Sequence, residues 1–252
     1  MEGRVAIITG AGSGIGAETA RQLAARGWRV VVNYRSNSAG AEAVVADCKR
    51  AGGDAVAVQA DVADDEACKA LVAATLARFG RIDALMNNAG ETKVAPAADL
   101  HALSGDDFMR LYRNNVVSVY QMTRAAAPHL KASGSGSVVN IGSRAGITGG
   151  GTSTAYAATK GAIHTLTKSL ARVLGPEVRV NCVAPAYVDT PWHERGRGKE
   201  EADKVRQASV ARSVLRKVVT PADMAELCVL LLSGATAMTG EVVAMDAGSH
   251  LA

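Results

Sequence analysis

Short apolar runs alternate with amphipathic stretches along nearly the whole chain. The runs at 4–9, 28–33, 55–60, 82–86, 137–141, 178–183 and 241–246 are apolar on both sides, as strands buried on both faces must be. Between them, 17–26, 39–51, 64–79, 108–131, 154–174 and 221–233 space their apolar residues as helices do. Strand regularly followed by helix predicts an α/β chain, a doubly wound parallel sheet of seven strands with helices on both faces. No Pro- or Ser-rich linker interrupts the pattern, so residues 1–252 read as a single domain. One stretch departs from it. Residues 192–217 are charged and irregular, with Gly196 and Gly198 as hinges, and predict a substrate lid at about 186–217 that is locally disordered without ligand.

Composition narrows the class further. Aromatics make up only 4% of a chain that is 48% hydrophobic, so the core is built of Ala, Val, Leu and Ile. The formal charge of +4 arises from 28 basic and 24 acidic side chains dispersed along the chain, without a basic tract, which argues against nucleic-acid binding. Cys48, Cys68, Cys182 and Cys228 show neither metal-ligand nor disulfide spacing, and reduced, packed thiols are expected. No signal-peptide pattern or apolar stretch of membrane-spanning length occurs, so a cytoplasmic protein with neither metal nor membrane partner is expected.

The candidate chemistry sits where strands end. Gly10-Ala11-Gly12-Ser13-Gly14-Ile15-Gly16 joins the first strand to the first helix, and glycines there let backbone N–H groups approach a pyrophosphate. The second strand ends in Asn33-Tyr34-Arg35-Ser36-Asn37, where a dinucleotide fold uses an acid to hold a ribose 2′-hydroxyl or an arginine to accommodate a 2′-phosphate. No acid is present and Arg35 is, which favours NADP(H) while leaving NAD(H) possible. Asp61-Val62 and Asn87-Asn88-Ala89-Gly90 close the third and fourth strands. Asn115 is an asparagine in mid-helix that should have a partner or a task, and Ser143 follows the fifth strand. Tyr156 and Lys160, four apart, share one helix face, and an ammonium beside a phenol favours the phenolate.

In order and spacing, Thr9 to Gly16, Asn87-Asn88-Ala89-Gly90, Asn115, Ser143 and Tyr156-Ala157-Ala158-Thr159-Lys160 resemble the short-chain dehydrogenase/reductase family, especially members like 3-oxoacyl-[acyl-carrier-protein] reductases. The likeness covers essentially the whole chain and implies a Rossmann fold. It further implies that Tyr156 is the general acid or base, that Lys160 lowers its pKa and holds the nicotinamide ribose, that Ser143 binds the substrate oxygen, and that Asn115 anchors a water in a proton relay. Gly10, Ser13, Gly14, Ile15, Gly16, Arg35, Asp61, Val62, Asn88, Ala89, Gly90, Tyr156, Lys160, Val188 and Thr190 would then bind the cofactor. The implied activity is NADP(H)-dependent hydride transfer between a carbonyl and a secondary alcohol, in a homo-oligomer, a tetramer or dimer. The alternatives are an NAD(H)-dependent alcohol, sugar or steroid dehydrogenase, or a non-catalytic dinucleotide sensor. Two departures from the family pattern stand out: Ser13 occupies a position that is often basic in NADP(H) users, and Pro185-Ala186 replaces Pro-Gly.

Overall fold

The computed structural model describes residues 3–96 and 98–251, with the side chains of 195–197 left aside. Its centre is a sheet of β1 (Val5–Ile8), β2 (Arg29–Tyr34), β3 (Asp54–Gln59), β4 (Ala84–Asn87), β5 (Gly136–Ile141), β6 (Val178–Pro185) and β7 (Val242–Met245). The spatial order is β3-β2-β1-β4-β5-β6-β7, and every pairing is parallel. Parallel neighbours need crossovers, and helices supply them: α1 (Gly14–Ala24), α2 (Ser38–Arg50), α3 (Asp65–Phe79), α4 (Gly105–Tyr112), α5 (Ser118–Ala132), α6 (Ala145–Thr148), α7 (Thr154–Leu174), α8 (Pro191–Arg197), α9 (Lys199–Arg212) and α10 (Pro221–Ser233).

Strand periodicity divides the core into two layers. Ala6, Ile8, Val30 and Val32 face one way, onto Ala20 and Leu23 of α1, Val44 of α2 and Met224 and Leu231 of α10. Val5, Ile7 and Val31 face the other way, onto Leu71 and Phe79 of α3, Met122 and Leu130 of α5 and Leu174 of α7. Each fully buried Leu or Ile of these layers contributes roughly 1.5–3 kcal/mol. Buried amides lock the middle of the sheet: Asn87 Nδ2 donates to Asn140 Oδ1 at 2.9 Å and to Thr123 Oγ1 at 3.1 Å, and Asn140 Nδ2 donates to Thr167 Oγ1 at 3.0 Å. The chain leaves β1 towards β2 and β3 on one side and resumes with β4 on the other. Ligands in such sheets sit outside the strand carboxyl ends at this reversal.

Two predicted stretches fold differently, and one short helix is added. The long helix expected over 108–131 is two, because Arg113–Val117 form a π turn between α4 and α5 that holds Asn115. Ser104 and Asp107 start α4 with a reciprocal capping box. The glycine-rich stretch after β5 contains α6, a single turn. Most plainly, 192–217 is largely helical rather than irregular. Pro191 opens α8, Glu200 and Glu201 favour the first turn of α9, and Lys199–Asp203 and Glu200–Lys204 pair at i,i+4. Gly198, with φ of 80°, makes the break between α8 and α9, whereas Gly196 lies within α8 and is no hinge. The alanine of Pro185-Ala186 costs nothing in backbone terms: among the described residues the non-glycines with positive φ are Arg216, Ala235 and Ala247.

Candidate active site

A cleft of about 340 Å³ opens at the carboxyl ends of β1, β2, β4 and β5. Its floor is the turn after β1. Gly10 and Gly14 hold φ of 61°, and a Cβ on Gly10 would come within 3.0 Å of Ala89 Cα, so the turn passes too close to the β4 end for any side chain. Asn88 Nδ2 donates to Thr9 O at 2.9 Å and Gly10 O at 3.1 Å, and Asn33 Oδ1 accepts the Gly10 N–H at 3.2 Å. These amides fix the turn from both neighbouring strands. The first N–H groups of α1 have no intrahelical partner by geometry, and Ser13 makes no capping bond to them. That donor set, at the positive end of a helix dipole, suits a pyrophosphate. A Cβ on Gly90 would meet Asn115 Oδ1 at 3.4 Å and Lys160 Nζ at 3.9 Å, so the lack of a side chain leaves the floor clear towards the catalytic candidates.

Of the cofactor-binding candidates, Gly10, Ser13, Gly14, Ile15, Arg35, Asp61, Val62, Asn88, Ala89, Gly90, Tyr156, Lys160, Val188 and Thr190 all line this cleft. Gly16 does not. A Cβ there would lie 2.6 Å from Asn88 Nδ2 and 3.0 Å from Ala11 Cα, so its smallness serves packing behind the turn. Asp61 is not the cap of α3: its Oδ1 accepts the Ala63 N–H at 3.0 Å, and Asp64 caps the helix instead, accepting from Ala67 at 2.8 Å. Arg35 is exposed at the rim and forms no ion pair among the described residues, and no carboxylate lies between Asn33 and Asn37.

Ser143, Tyr156 and Lys160 meet at the inner end. Ser153 caps α7, accepting the Tyr156 N–H at 3.2 Å, and so sets the helix phase that turns Tyr156 and Lys160 into the cleft. The Ser143 side chain favours the ionised phenol, and its Oγ accepts the Ala145 N–H at 3.1 Å. Lys160 Nζ lies 5.5 Å from the centroid of the Tyr156 ring and donates to Ile141 O at 2.8 Å. The expected lowering of the tyrosine pKa is not what this arrangement produces: burial pushes the phenol up to about 12, outweighing the influence of Ser143. Burial also pulls Lys160 down, to about 8. Both groups therefore hold their protons near neutral pH. A protonated phenol beside Ser143, with a cation at the ring, is a poised proton donor.

Asn115 lies behind this wall, 1% exposed. Its Oδ1 accepts the Glu91 N–H at 2.7 Å, and its Nδ2 donates to Glu91 O at 2.9 Å and Thr159 Oγ1 at 3.1 Å. It fastens the segment after β4 to α7, beside Lys160. Sequence reasoning passed over several residues of the site. Thr159, within the Tyr-Lys spacing, and the buried Asn33 could have been found as polar residues at buried positions. Trp192 could not: its ring centroid lies 6.1 Å from that of Tyr156, and Tyr187 and His193 stack at 4.0 Å, both the product of α8 folding over the cleft. His164, with Nε2 buried and without a hydrogen-bond partner among the described residues, also lies in this neighbourhood, since a Cβ on Gly142 would be 2.7 Å from that atom.

Comparison with known proteins defines the class. The short chain dehydrogenase family pattern matches residues 4–201. A Streptomyces violaceoruber protein, assigned by name to the granaticin polyketide synthase as a ketoacyl reductase, is 42% identical over 251 residues, covering 99% of this chain and 97% of its own. The cis-4-hydroxycyclohexanecarboxylate dehydrogenase of Sinomonas cyclohexanicum is 37% identical, covering 97% of this chain and 96% of its own. A crystal structure from Burkholderia xenovorans, named as a short-chain dehydrogenase/reductase, superposes with a TM-score of 0.92 at 42% identity, over 99% of this chain and 98% of that one. The chain belongs to the short-chain dehydrogenase/reductase family. It is an oxidoreductase of the class that uses a nicotinamide dinucleotide.

Proposed function

We propose that this protein is an NADP(H)-dependent carbonyl reductase, running in reverse as a secondary-alcohol dehydrogenase, with Tyr156 as proton donor and acceptor. The observation that carries the reading is the convergence of Ser143, Tyr156 and Lys160 in one cleft with the glycine turn. Gly10, Ser13, Gly14 and Ile15 would hold the pyrophosphate, Asp61 and Val62 the adenine end, and Asn88, Ala89, Gly90, Lys160, Val188 and Thr190 the nicotinamide end. When bound, the cofactor supplies hydride chemistry. Ser143 and Tyr156 orient the substrate oxygen, and Tyr156 gives its proton to that oxygen in reduction. Lys160 keeps a positive charge beside the ring, which stabilises the phenolate left behind. Its proton can be restored through Lys160, whose amine is held at Ile141 O; a water anchored near Asn115 would complete that relay, with the Asn115 side chain bracing Glu91 and Thr159.

The exposed, unpaired Arg35 and the missing carboxylate at the end of β2 favour the 2′-phosphate of NADP(H). The names of the relatives, a ketoacyl reductase and a hydroxycyclohexanecarboxylate dehydrogenase, support carbonyl carbons flanked by apolar groups as substrates. Residues 1–252 are read as one domain, with α8 and α9 as the lid over the substrate. Exposed Met109, Tyr112 and Tyr120 on α4 and α5 support a homo-oligomer. The test is cofactor oxidation with a panel of ketones and 3-oxoacyl thioesters, run with NADPH and NADH, for the wild type and Arg35→Asp. Turnover preferring NADPH, with the preference eroded in the variant, is expected. Tight NADPH binding without turnover of any carbonyl would mark the protein as a sensor instead.

A further inference from the structure

Behind the wall that carries Pro185 and Ala186 lies a second recess of about 290 Å³, which shares Ala186 with the catalytic cleft. Its chemistry is cationic. Arg144 enters from the turn after β5, Arg212 from the end of α9, and Lys217 from the loop that follows. Neither guanidinium makes an ion pair or side-chain hydrogen bond among the described residues. Lys217 Nζ forms an ion pair with Asp223, donating to Oδ1 at 3.4 Å. The recess contains one carboxylate, Asp246, and that charge is already engaged: it accepts from Gly248 N at 3.0 Å and Ser249 Oγ at 3.1 Å, and lies 3.0 Å from His250 Nδ1.

The backbone that carries the positive groups is held in place by its surroundings. Ser213 Oγ donates to Lys217 O at 2.7 Å and accepts the Lys217 N–H at 3.0 Å, closing the turn that joins Arg212 to Lys217. The Arg144 N–H donates to Pro185 O at 2.8 Å. Two of the non-glycine residues with positive φ, Arg216 and Ala247, sit next to lining residues, so the loops are held in conformations that the local chain alone disfavours. Three cations against one carboxylate leave the recess with an excess of positive charge, and an arginine fork is built to bind two oxygens of one acid group. The polar and charged lining of the recess, beside the catalytic cleft, suits such a group on a short stem.

We propose that this recess binds a small oxyanion, a phosphate or carboxylate group, between Arg144 and Arg212 with Lys217 as the third positive charge. The bound group would join α9 to the turn that presents Ser143, so that closure of α8 and α9 depends on it. The oxyanion is either the acidic end of the substrate or a separate anion, and the two are distinguishable.

Inorganic phosphate titrated calorimetrically into NADPH-saturated protein at constant ionic strength should bind saturably. Arg212→Gln, an exposed position whose loss leaves the melting temperature unchanged, should weaken that binding by about tenfold, and Arg212→Lys should recover part of it. Turnover of a carboxylate-bearing ketone and its neutral isostere then identifies the source. A KM raised about tenfold by Arg212→Gln for the acidic ketone alone, with phosphate competing, assigns the site to the substrate. Phosphate that changes the kinetics of both ketones assigns it to a separate anion. The proposal is overturned if phosphate heats are absent, or are the same in the wild type and in the double variant Arg144→Gln, Arg212→Gln. The calorimetric arm needs no turnover, so it fails or succeeds independently of the enzymatic reading.

Discussion

Tyr156 and Lys160 illustrate two opposing effects within one turn of α7. An ammonium near a phenol favours the phenolate, yet removing both from water favours the uncharged form of each. Here burial prevails, holding Tyr156 near 12 and Lys160 near 8. Tyr156→Phe keeps the ring and removes the proton; cofactor binding measured by fluorescence should be unchanged while kcat falls by roughly 10²–10⁴. The lysine has a consequence for stability. Its folded pKa lies below its ordinary value of 10.5, so between about 8 and 10.5 the unfolded chain binds the extra proton. Its contribution to stability is therefore complete above 10.5 and is lost as pH falls through 8. Chemical denaturation of the wild type and Lys160→Met from pH 7 to 10 should show wild-type stability gaining on the variant as pH rises, by at most about 1.4 kcal/mol per pH unit. A constant difference would mean that the amine keeps its ordinary pKa.

At the level of elements, the site depends on backbones that approach closely. A Cβ on Gly146 would come within 2.5 Å of Gly161 N and Lys160 C, because α6 packs directly on the first turns of α7. No side-chain rotation relieves a clash with backbone. Gly146→Ala should push α6 away, moving Ser143 at one end and Lys160 at the other, and should cost about 1–3 kcal/mol in urea denaturation together with most of the activity. The π turn is a second such device. It was not legible in the sequence, since the apolar spacing of 108–131 continues across it; only the pull of Asn115 towards Glu91 and Thr159 shows why the helix is widened there. The helices of 192–217 were hidden for the opposite reason. Their residues are mostly exposed and charged, so no apolar stripe marks them, and local capping and i,i+4 pairs support them instead.

Across the whole molecule, the two apolar layers leave no reactive thiol at the surface. Cys48, Cys68, Cys182 and Cys228 are all buried, and burial pushes them up to about 11 or 12. Labelling with a thiol-reactive disulfide at pH 8 should be at least roughly a hundredfold slower in the native protein than in guanidinium, where all four react, because exposure requires opening of the core. Rapid native labelling of any one would place it outside the packed layers. Strand and helix order, the parallel sheet, the glycine turn and the Tyr156–Lys160 pair were determined by the sequence alone, since each follows from periodicity or from residues within one turn of one another. The protonation of that pair, the position of Gly16 and Asn115 behind the cleft, Trp192 beside Tyr156 and the gathering of Arg144 with Arg212 were decided only by the tertiary structure. They depend on burial and on contacts between residues far apart in the chain, which no local pattern encodes.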